Sequence, residues 1–156
     1  MFRILIGIII FTACAFCGIR IRRMFSQKEA FFKDLSAFCL YLREQISFSK
    51  TPVPQIAKAY QPMCAKEFSA ILMGLENGVQ QYEYPKYVKV QLKGELDAFF
   101  QRLGKSDLES QLRLIDENKK KIDIMYDGAK IDKKKKGELG YKLSLLAGIA
   151  LLIIVA

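Results

Sequence analysis

The chain has 156 residues, 51% of them hydrophobic, and a formal net charge of +9 at pH 7. It contains no histidine, so the commonest general base and metal ligand is missing. Catalytic motifs and phosphate-binding glycine loops are also missing from the sequence, and we expect no enzyme and no cofactor. The basic clusters adjoin apolar segments and lack interleaved aromatic residues, which favours membrane lipid as a partner and argues against nucleic acid.

The N-terminal segment reads FRILIGIIIFTACAFCGIRI. It carries no charge over residues 4–19, about 24 Å of helix, which approaches the roughly 30 Å hydrocarbon core of a bilayer. One arginine precedes this run, whereas Arg20, Arg22 and Arg23 follow it. Because positively charged flanks stay in the cytoplasm, we predict an uncleaved membrane helix whose C-terminal side is cytoplasmic.

Lipidation at Cys14 is an alternative role for this segment. Phe11-Thr12-Ala13-Cys14 resembles a bacterial lipobox, in which Cys14 would become an acylated N-terminus after cleavage. The apolar run continues past Cys14 into a basic cluster that resists export, which makes this alternative the weaker one. Cys14 and Cys17 have CxxC spacing without a second pair, and we interpret them as small apolar helix residues.

Two prolines divide the next part of the chain into helices. Residues 27–50 carry a stripe typical of a helix buried on one face, formed by Phe31, Leu35, Phe38, Cys39, Leu42 and Ile46. The turn Thr51-Pro52-Val53-Pro54 ends this helix, and a second is predicted over 53–60. A third is predicted over 65–78, with an Asn-Gly stop and an inward face of Phe68, Ile71, Leu72 and Leu75.

A glycine turn separates the fourth and fifth predicted helices. The fourth covers 85–103, and Gly104 breaks it. Ser106 followed by Glu109 forms a capping box, so Ser106 is predicted to cap the fifth helix. The fifth helix is interrupted at Lys119 and otherwise has a seam for packing along a neighbour, formed by Leu108, Leu112, Ile115, Ile122, Tyr126 and Ala129.

The last third of the chain passes from polar to apolar character. Four lysines at 133–136 precede Gly137 and Gly140, where a flexible joint is predicted. From 139 to 156 the sole charge is Lys142, and about 27 Å of helix is just long enough to cross a bilayer. The basic flanks of both apolar segments face the middle of the chain, so the positive-inside rule gives the same topology twice.

These elements predict an all-α protein. A cytoplasmic antiparallel helical bundle of about five to six helices lies between N- and C-terminal transmembrane helices. The expected domains are an N-terminal transmembrane helix with its basic flank (1–23), the cytoplasmic bundle (24–137) and a C-terminal transmembrane helix (138–156). The sequence leaves the oligomeric state open, a homo-oligomer included.

Four motifs in a fixed order cover nearly the whole chain. They are the short apolar N-terminus with Gly7, the segment LSAFCLYLREQISFSKTPVPQIAKA, the Leu-Gly-x-x-Asp-x-x-x-Gln pattern in FFQRLGKSDLESQ, and the tail KLSLLAGIALLII. In this order they resemble the stage III sporulation protein AB family of endospore-forming bacteria. Val53 stands where that family usually has leucine, and the tail stops early.

This resemblance implies a bundle similar to the F-protein domain of type II secretion and type IV pilus systems. It also implies a complex in the mother-cell membrane around the forespore, with a cytosolic ATPase and membrane-ring subunits as partners. The expected function is a non-enzymatic platform subunit of a sporulation channel that couples the ATPase to membrane components. The alternative is a membrane-anchored regulatory adaptor that binds a soluble partner without taking part in transport.

Two groups of candidate functional residues follow. Turns of fixed geometry are where a rigid bundle places contacts, and the candidate partner-contact residues are Thr51, Pro52, Pro54, Leu103, Gly104, Ser106, Asp107 and Gln111. The alternative is that both turns only end helices. The candidate lipid-contact residues are the membrane-flanking cations Arg20, Arg22, Arg23, Lys133, Lys134, Lys135, Lys136 and Lys142.

Overall fold

Helices account for all regular structure in the described part of the chain. The computed structural model describes the backbone of residues 2–155 and the side chains of residues 5–154. Within these limits no β-strand occurs, and the predicted all-α class is confirmed. The helices are α1 (Phe2–Glu44), α2 (Val53–Tyr60), α3 (Lys66–Glu76), α4 (Val90–Arg102), α5 (Leu108–Asp132) and α6 (Glu138–Val155).

Helical structure is more continuous than predicted. α1 joins the N-terminal apolar segment to the amphipathic segment and continues into a π-helical turn over Gln45–Ser49. A second π-helical turn, Lys133–Gly137, links α5 to α6, so helical structure continues through Gly137 and Gly140, and the flexibility predicted there stays a prediction. Gly137 also allows a close approach between helices, because a Cβ there would lie 3.3 Å from the Cβ of Phe25.

The chain divides into two compact units. We call the described parts of Met1–Glu29 and Asp127–Ala156 the helix-pair unit, and Ala30–Tyr126 the bundle unit. This division follows packing. The predicted domains 1–23, 24–137 and 138–156 are defined by their relation to a membrane and stay a prediction.

Aromatic side chains form the centre of the bundle unit. Phe38 on α1 is fully buried, with its ring centroid 5.6 Å from that of Phe68 on α3 and 5.3 Å from that of Tyr60 on α2. Contacts between tilted or perpendicular rings add to the free energy gained by burying them. The predicted inward faces of α1 and α3 are confirmed, since all their residues are buried: Phe31, Leu35, Phe38, Cys39, Leu42, Ile46, Phe68, Ile71, Leu72 and Leu75.

The fourth helix begins later than predicted. It starts at Val90 instead of position 85, because hydrogen bonds hold the preceding segment in an irregular form. Tyr84 Oη donates to Oδ1 of Asp97 at 2.9 Å, and Tyr87 Oη donates to Oε2 of Glu67. Burial and the hydrogen bond to the Asp97 carboxylate raise the pKa of Tyr84, which keeps its hydroxyl protonated as a donor.

Polar contacts join α1 and α5 within the bundle unit. Ser36 Oγ donates to Oδ1 of Asp123, and Arg43 Nε donates to Oδ1 of Asp116 at 2.9 Å, so the two helices run antiparallel. Lys119 was predicted to interrupt the seam, but its Nζ donates to Oδ2 of Asp123 at 2.6 Å and joins this polar contact. The seam residues that are buried are Ile115, Ile122 and Ala129.

Glycines form the contact between helices α1 and α6 in the helix-pair unit. A Cβ on Gly7 would lie 3.7 Å from Cγ of Leu152, and one on Gly148 would lie 3.2 Å from Cβ of Cys14. The two pairings run in opposite directions along the sequence, so the helices are antiparallel. Both long helical stretches, Leu5–Ser49 and Leu108–Ile154, contain windows long and apolar enough to cross a membrane.

Candidate functional site

The first candidate turn is fixed by its backbone. Lys50 adopts the left-handed region with φ of 50°, which reverses the chain after the π-helical turn. Pro52 follows in an extended conformation, and its carbonyl accepts hydrogen bonds from the backbone N–H groups of Gln55 at 3.0 Å and Ile56 at 3.2 Å. The turn therefore ends one helix and starts α2 with little freedom between them.

The second candidate turn is held by the side chain of Gln111. Gly104 has φ of +76°, a conformation that favours glycine. Its N–H donates to Oε1 of Gln111 at 3.0 Å. Gln111 Nε2 donates to the carbonyl of Arg102 at 3.1 Å and to Oγ of Ser106 at 2.7 Å. Since Gln111 is almost fully buried, it acts as an internal clamp on the turn rather than an exposed contact.

The cap of α5 differs from the prediction. Asp107, not Ser106, caps the helix, because Oδ2 of Asp107 accepts a hydrogen bond from the backbone N–H of Ser110 at 3.1 Å. Ser106 is drawn away from the capping position by its hydrogen bond to Gln111. Hydrogen bonds from the side chain and backbone of Ser110, together with the charge of Arg113, lower the pKa of the Asp107 carboxyl.

The two candidate turns line one cleft, which we call the turn cleft. Its volume is about 360 Å³. The first turn contributes Thr51 and Pro52 to its lining, and the second contributes Gly104, Ser106 and Gln111. The turns approach closely here, since a Cβ on Gly104 would lie 3.4 Å from Cγ2 of Val53. Three candidates do not line the cleft: Pro54, Leu103 and Asp107.

One apolar residue that lines this cleft was predicted to lie on the packing seam of the fifth helix. Leu108, expected on the inward seam of α5, is 43% exposed and lines the turn cleft. The reason is the cap at Asp107, which starts the helix at Leu108 and leaves this residue in a first turn that the core does not cover. Phe48, two residues before Lys50, is 85% exposed.

A second cleft beside the turn was missed by sequence reasoning. Arg102, Lys105 and Arg113 line this basic cleft, whose volume is about 380 Å³. Ser106 lines both clefts, which places them next to each other. The signal was present in the sequence, because the basic residues surround the turn in RLGKSDLESQLR.

The membrane-flanking cations fall into two groups in the helix-pair unit. Lys133 Nζ lies 2.6 Å from Oε2 of Glu29, and Lys136 Nζ lies 2.8 Å from Oδ1 of Asp132. These two lysines thus have carboxylate partners within the protein. The remaining candidates are exposed: Arg20, Arg22, Arg23, Lys134, Lys135 and Lys142. Arg22 also stacks on an aromatic ring, with its Cζ 5.7 Å from the ring centroid of Tyr141.

Fold and clefts define an all-helical protein with two helices of membrane-spanning length and a bundle that carries surface clefts. A family model described as stage III sporulation protein AB matches residues 3–84 and 74–156. The chain therefore belongs to the stage III sporulation protein AB family, which implies a role in stage III of sporulation. No curated protein and no solved structure matches the chain.

Proposed function

We propose that this protein is a non-enzymatic integral membrane platform subunit of a secretion-like sporulation channel between mother cell and forespore. It couples a cytosolic ATPase to membrane components. Family membership supports the sporulation role, and the two apolar helices support integration into the mother-cell membrane around the forespore.

The observation that carries this proposal is the turn cleft. Two turns that lie far apart in the sequence share its lining, and Gln111 holds one of them by three hydrogen bonds. A surface that is rigid before binding loses less conformational entropy on association. Such a surface suits a docking platform, and the bundle unit that carries it is proposed to be cytoplasmic.

Anionic lipid is a further partner in this proposal. Exposed cations at the flanks of the apolar helices, such as Arg20, Arg23 and Lys142, would each contribute about 1 kcal/mol near an anionic headgroup layer. The exposed apolar faces of α1 and α6 supply surface for lipid, for membrane-ring subunits or for a second copy of the chain.

Co-purification from sporulating cells tests the function. The tagged full chain, solubilised in mild detergent, should bring down both the ATPase and the membrane-ring subunits. An unrelated membrane protein with the same tag serves as the control. Recovery of the ATPase without ring subunits supports the regulatory adaptor instead, and recovery of neither contradicts both functions.

Accessibility of the bundle unit tests the topology. Lys66 is exposed at the start of α3, and Lys66→Cys in a chain without native cysteines offers one thiol for labelling. The variant is expressed in vegetative cells, whose plasma membrane faces the medium, and a membrane-impermeant maleimide should label it only after protoplasts of these cells are permeabilised. Labelling in intact protoplasts would place the bundle outside the cytoplasm and overturn the proposed topology.

A further inference from the structure

The basic cleft carries more positive charge than negative charge. Four cations of the bundle unit pair with described carboxylates: Arg43 with Asp116, Lys58 with Glu76, Lys119 with Asp123 and Lys121 with Glu95. Arg102, Lys105 and Arg113 form no ion pair with any described carboxylate, and they differ from unpaired surface lysines such as Lys66 because all three line one cleft. Glu117 also lines the cleft, and the charge of Arg113 acts on the nearby Asp107, so three positive charges lie near two negative charges there. The surplus favours an anionic occupant.

Apolar surface lies directly beside this charge. The basic cleft and the turn cleft share Ser106, and the turn cleft is lined by Pro52 and the half-exposed Leu108. Phe48 adds a largely exposed aromatic ring next to the first turn. Aromatic residues, phenylalanine included, and arginine are enriched at protein interfaces. An occupant that fits both clefts must combine negative charge with apolar side chains.

We propose that the basic cleft and the turn cleft together bind one acidic segment of a soluble partner protein. Carboxylates of the segment pair with Arg102, Lys105 and Arg113, and the guanidinium groups of the two arginines suit bidentate recognition of carboxylates. Apolar side chains of the segment enter the turn cleft beside Leu108 and Phe48. The inference rests on the proposed function and locates the contact with the soluble partner.

The mixed character of the surface argues against two other anionic occupants. A nucleic acid presents phosphates with flat bases, and proteins bind single strands by interleaving cations with several stacking aromatic rings. The lining of these clefts contains no aromatic residue among the described side chains, and Phe48 beside the first turn is a single exposed ring where several would be needed. A lipid headgroup would satisfy the cations but would leave Pro52, Val53 and Leu108 of the turn cleft without an apolar partner, so a peptide segment fits best.

A binding measurement with a model peptide tests the chemistry. The full chain in neutral detergent is titrated into a fluorescein-labelled helical peptide of glutamate, leucine and alanine, and anisotropy is recorded. The acidic peptide should bind, and its affinity should fall as salt is added. A peptide of equal length with lysine in place of glutamate should not bind.

Charge reversal locates the binding surface. The variant Arg102→Glu/Lys105→Glu/Arg113→Glu should lower the affinity for the acidic peptide by at least about tenfold. Phe48→Ala should also lower it without changing the charge. Lys66→Glu is the matched control, because this lysine is exposed on α3 away from both clefts and should leave the affinity unchanged. If the triple variant is unfolded by circular dichroism, the single Arg113→Gln variant replaces it with the same expected direction.

Two outcomes would overturn the inference. One is equal affinity of the wild-type chain and the folded charge-reversal variant for the acidic peptide. The other is a folded charge-reversal variant that binds the acidic peptide as the wild-type chain does but no longer binds phosphatidylglycerol vesicles. This result would make the basic cleft a lipid site.

Co-purification separates this inference from the proposed function. If the wild-type chain recovers the ATPase and the charge-reversal variant recovers it equally well, the platform function stands and the docking site is wrong. If the wild-type chain recovers no ATPase, the platform function itself is wrong, whatever the result of the peptide-binding measurement.

Discussion

The two units of this chain bury opposite kinds of residue. In the helix-pair unit, every buried residue that the structure describes is a glycine or an alanine: Gly7, Gly18, Ala129, Gly137 and Gly148. In the bundle unit the central residues are large, and Phe38, Leu42 and Phe68 are fully buried. The large apolar side chains of the helix pair, such as Ile9 and Leu146, are exposed instead.

This difference matches two ways in which helices are held together, one in water and one in lipid. In water, burial of apolar surface stabilises a core by about 25 cal/mol per Å², so large side chains turn inward. In lipid the tails are as apolar as leucine, and helices associate by close approach at small residues. The bundle unit follows the first pattern and the helix-pair unit follows the second. The changes below test this contrast.

Removing a large core ring should have the greatest effect. Phe38→Ala would leave a cavity between α1, α2 and α3 and should lower the free energy of unfolding by about 3–5 kcal/mol. Chemical denaturation of the full chain in detergent, followed by circular dichroism, measures this change. Leu146→Ala in α6 is the control, because Leu146 is 62% exposed and should change the free energy little in detergent. Equal losses from both variants would contradict the contrast between the units.

In the helix-pair unit the damaging change should be enlargement of a glycine. A Cβ on Gly18 would overlap Oγ of Ser144 and lie 3.2 Å from Cδ2 of Tyr141. Overpacking of this kind costs about 1–3 kcal/mol, so Gly18→Leu should loosen the pairing of α1 with α6. Ala13→Leu, at an exposed position of α1, is the matched control and should have no effect.

A disulfide bond reports on this pairing. Gly148→Cys would place a second thiol opposite Cys14, with the Cβ atoms 3.2 Å apart. This is slightly closer than the roughly 3.5–4.5 Å of a disulfide, so the helices must separate by a few tenths of an ångström to form the bridge. In a Cys17→Ser background, oxidation should join Cys14 to the introduced thiol, and mass spectrometry of the linked peptides detects the bridge. Gly18→Leu should reduce the yield of this disulfide bridge, and Ala13→Leu should leave the yield unchanged. A bridge of equal yield from Ile149→Cys, on the exposed face of α6, would contradict the packing.

The contrast also explains which parts of the fold could be predicted. Large apolar residues at helical spacing gave correct inward faces for α1 and α3, because in water burial follows hydrophobicity. The close approach at Gly137 was not predicted, because glycine has two uses, flexibility and close approach. The sequence around Gly137 does not distinguish them, whereas the nearby Phe25 on another helix does.

The candidate site shows a similar limit. Proline and glycine placed both turns correctly, since their backbone preferences are local. That the two turns share one cleft depends on packing between distant residues such as Val53 and Gly104, which no local pattern contains. The cap was misassigned for the same reason, because the hydrogen bond from Gln111 removes Ser106 from the capping position.

Replacing Gln111, which clamps the second turn, should lower the stability of the bundle unit more than replacing an exposed glutamine. Gln111→Leu would leave the N–H of Gly104 and the carbonyl of Arg102 without this partner, at a cost of about 1–3 kcal/mol in unfolding free energy. Gln91→Leu, at an exposed position of α4, is the control and should change stability little. If the two variants are equally stable, the turn does not depend on its clamp.

The smallest expected effect on stability concerns the carboxylate of Asp123, which lies between α1 and α5. Burial acts to raise the pKa of Asp123, but hydrogen bonds from Lys119 and Ser36 outweigh it and hold the pKa below the ordinary value of 3.8. The ionised carboxylate therefore stabilises the folded bundle above about pH 3.8, and this contribution is lost as the pH falls through the lower, folded-state pKa.

Asp123→Asn should accordingly lower stability at neutral pH by no more than about 1 kcal/mol, because the pair is partly exposed. The difference in melting temperature between this variant and the wild-type chain should shrink below pH 3.8. Asp127→Asn, at an exposed position of the same helix, controls for the loss of one negative charge. A difference in melting temperature that persists unchanged at low pH would mean that Asp123 acts through its shape and not its charge. The bundle would then resemble the helix pair in depending on packing alone.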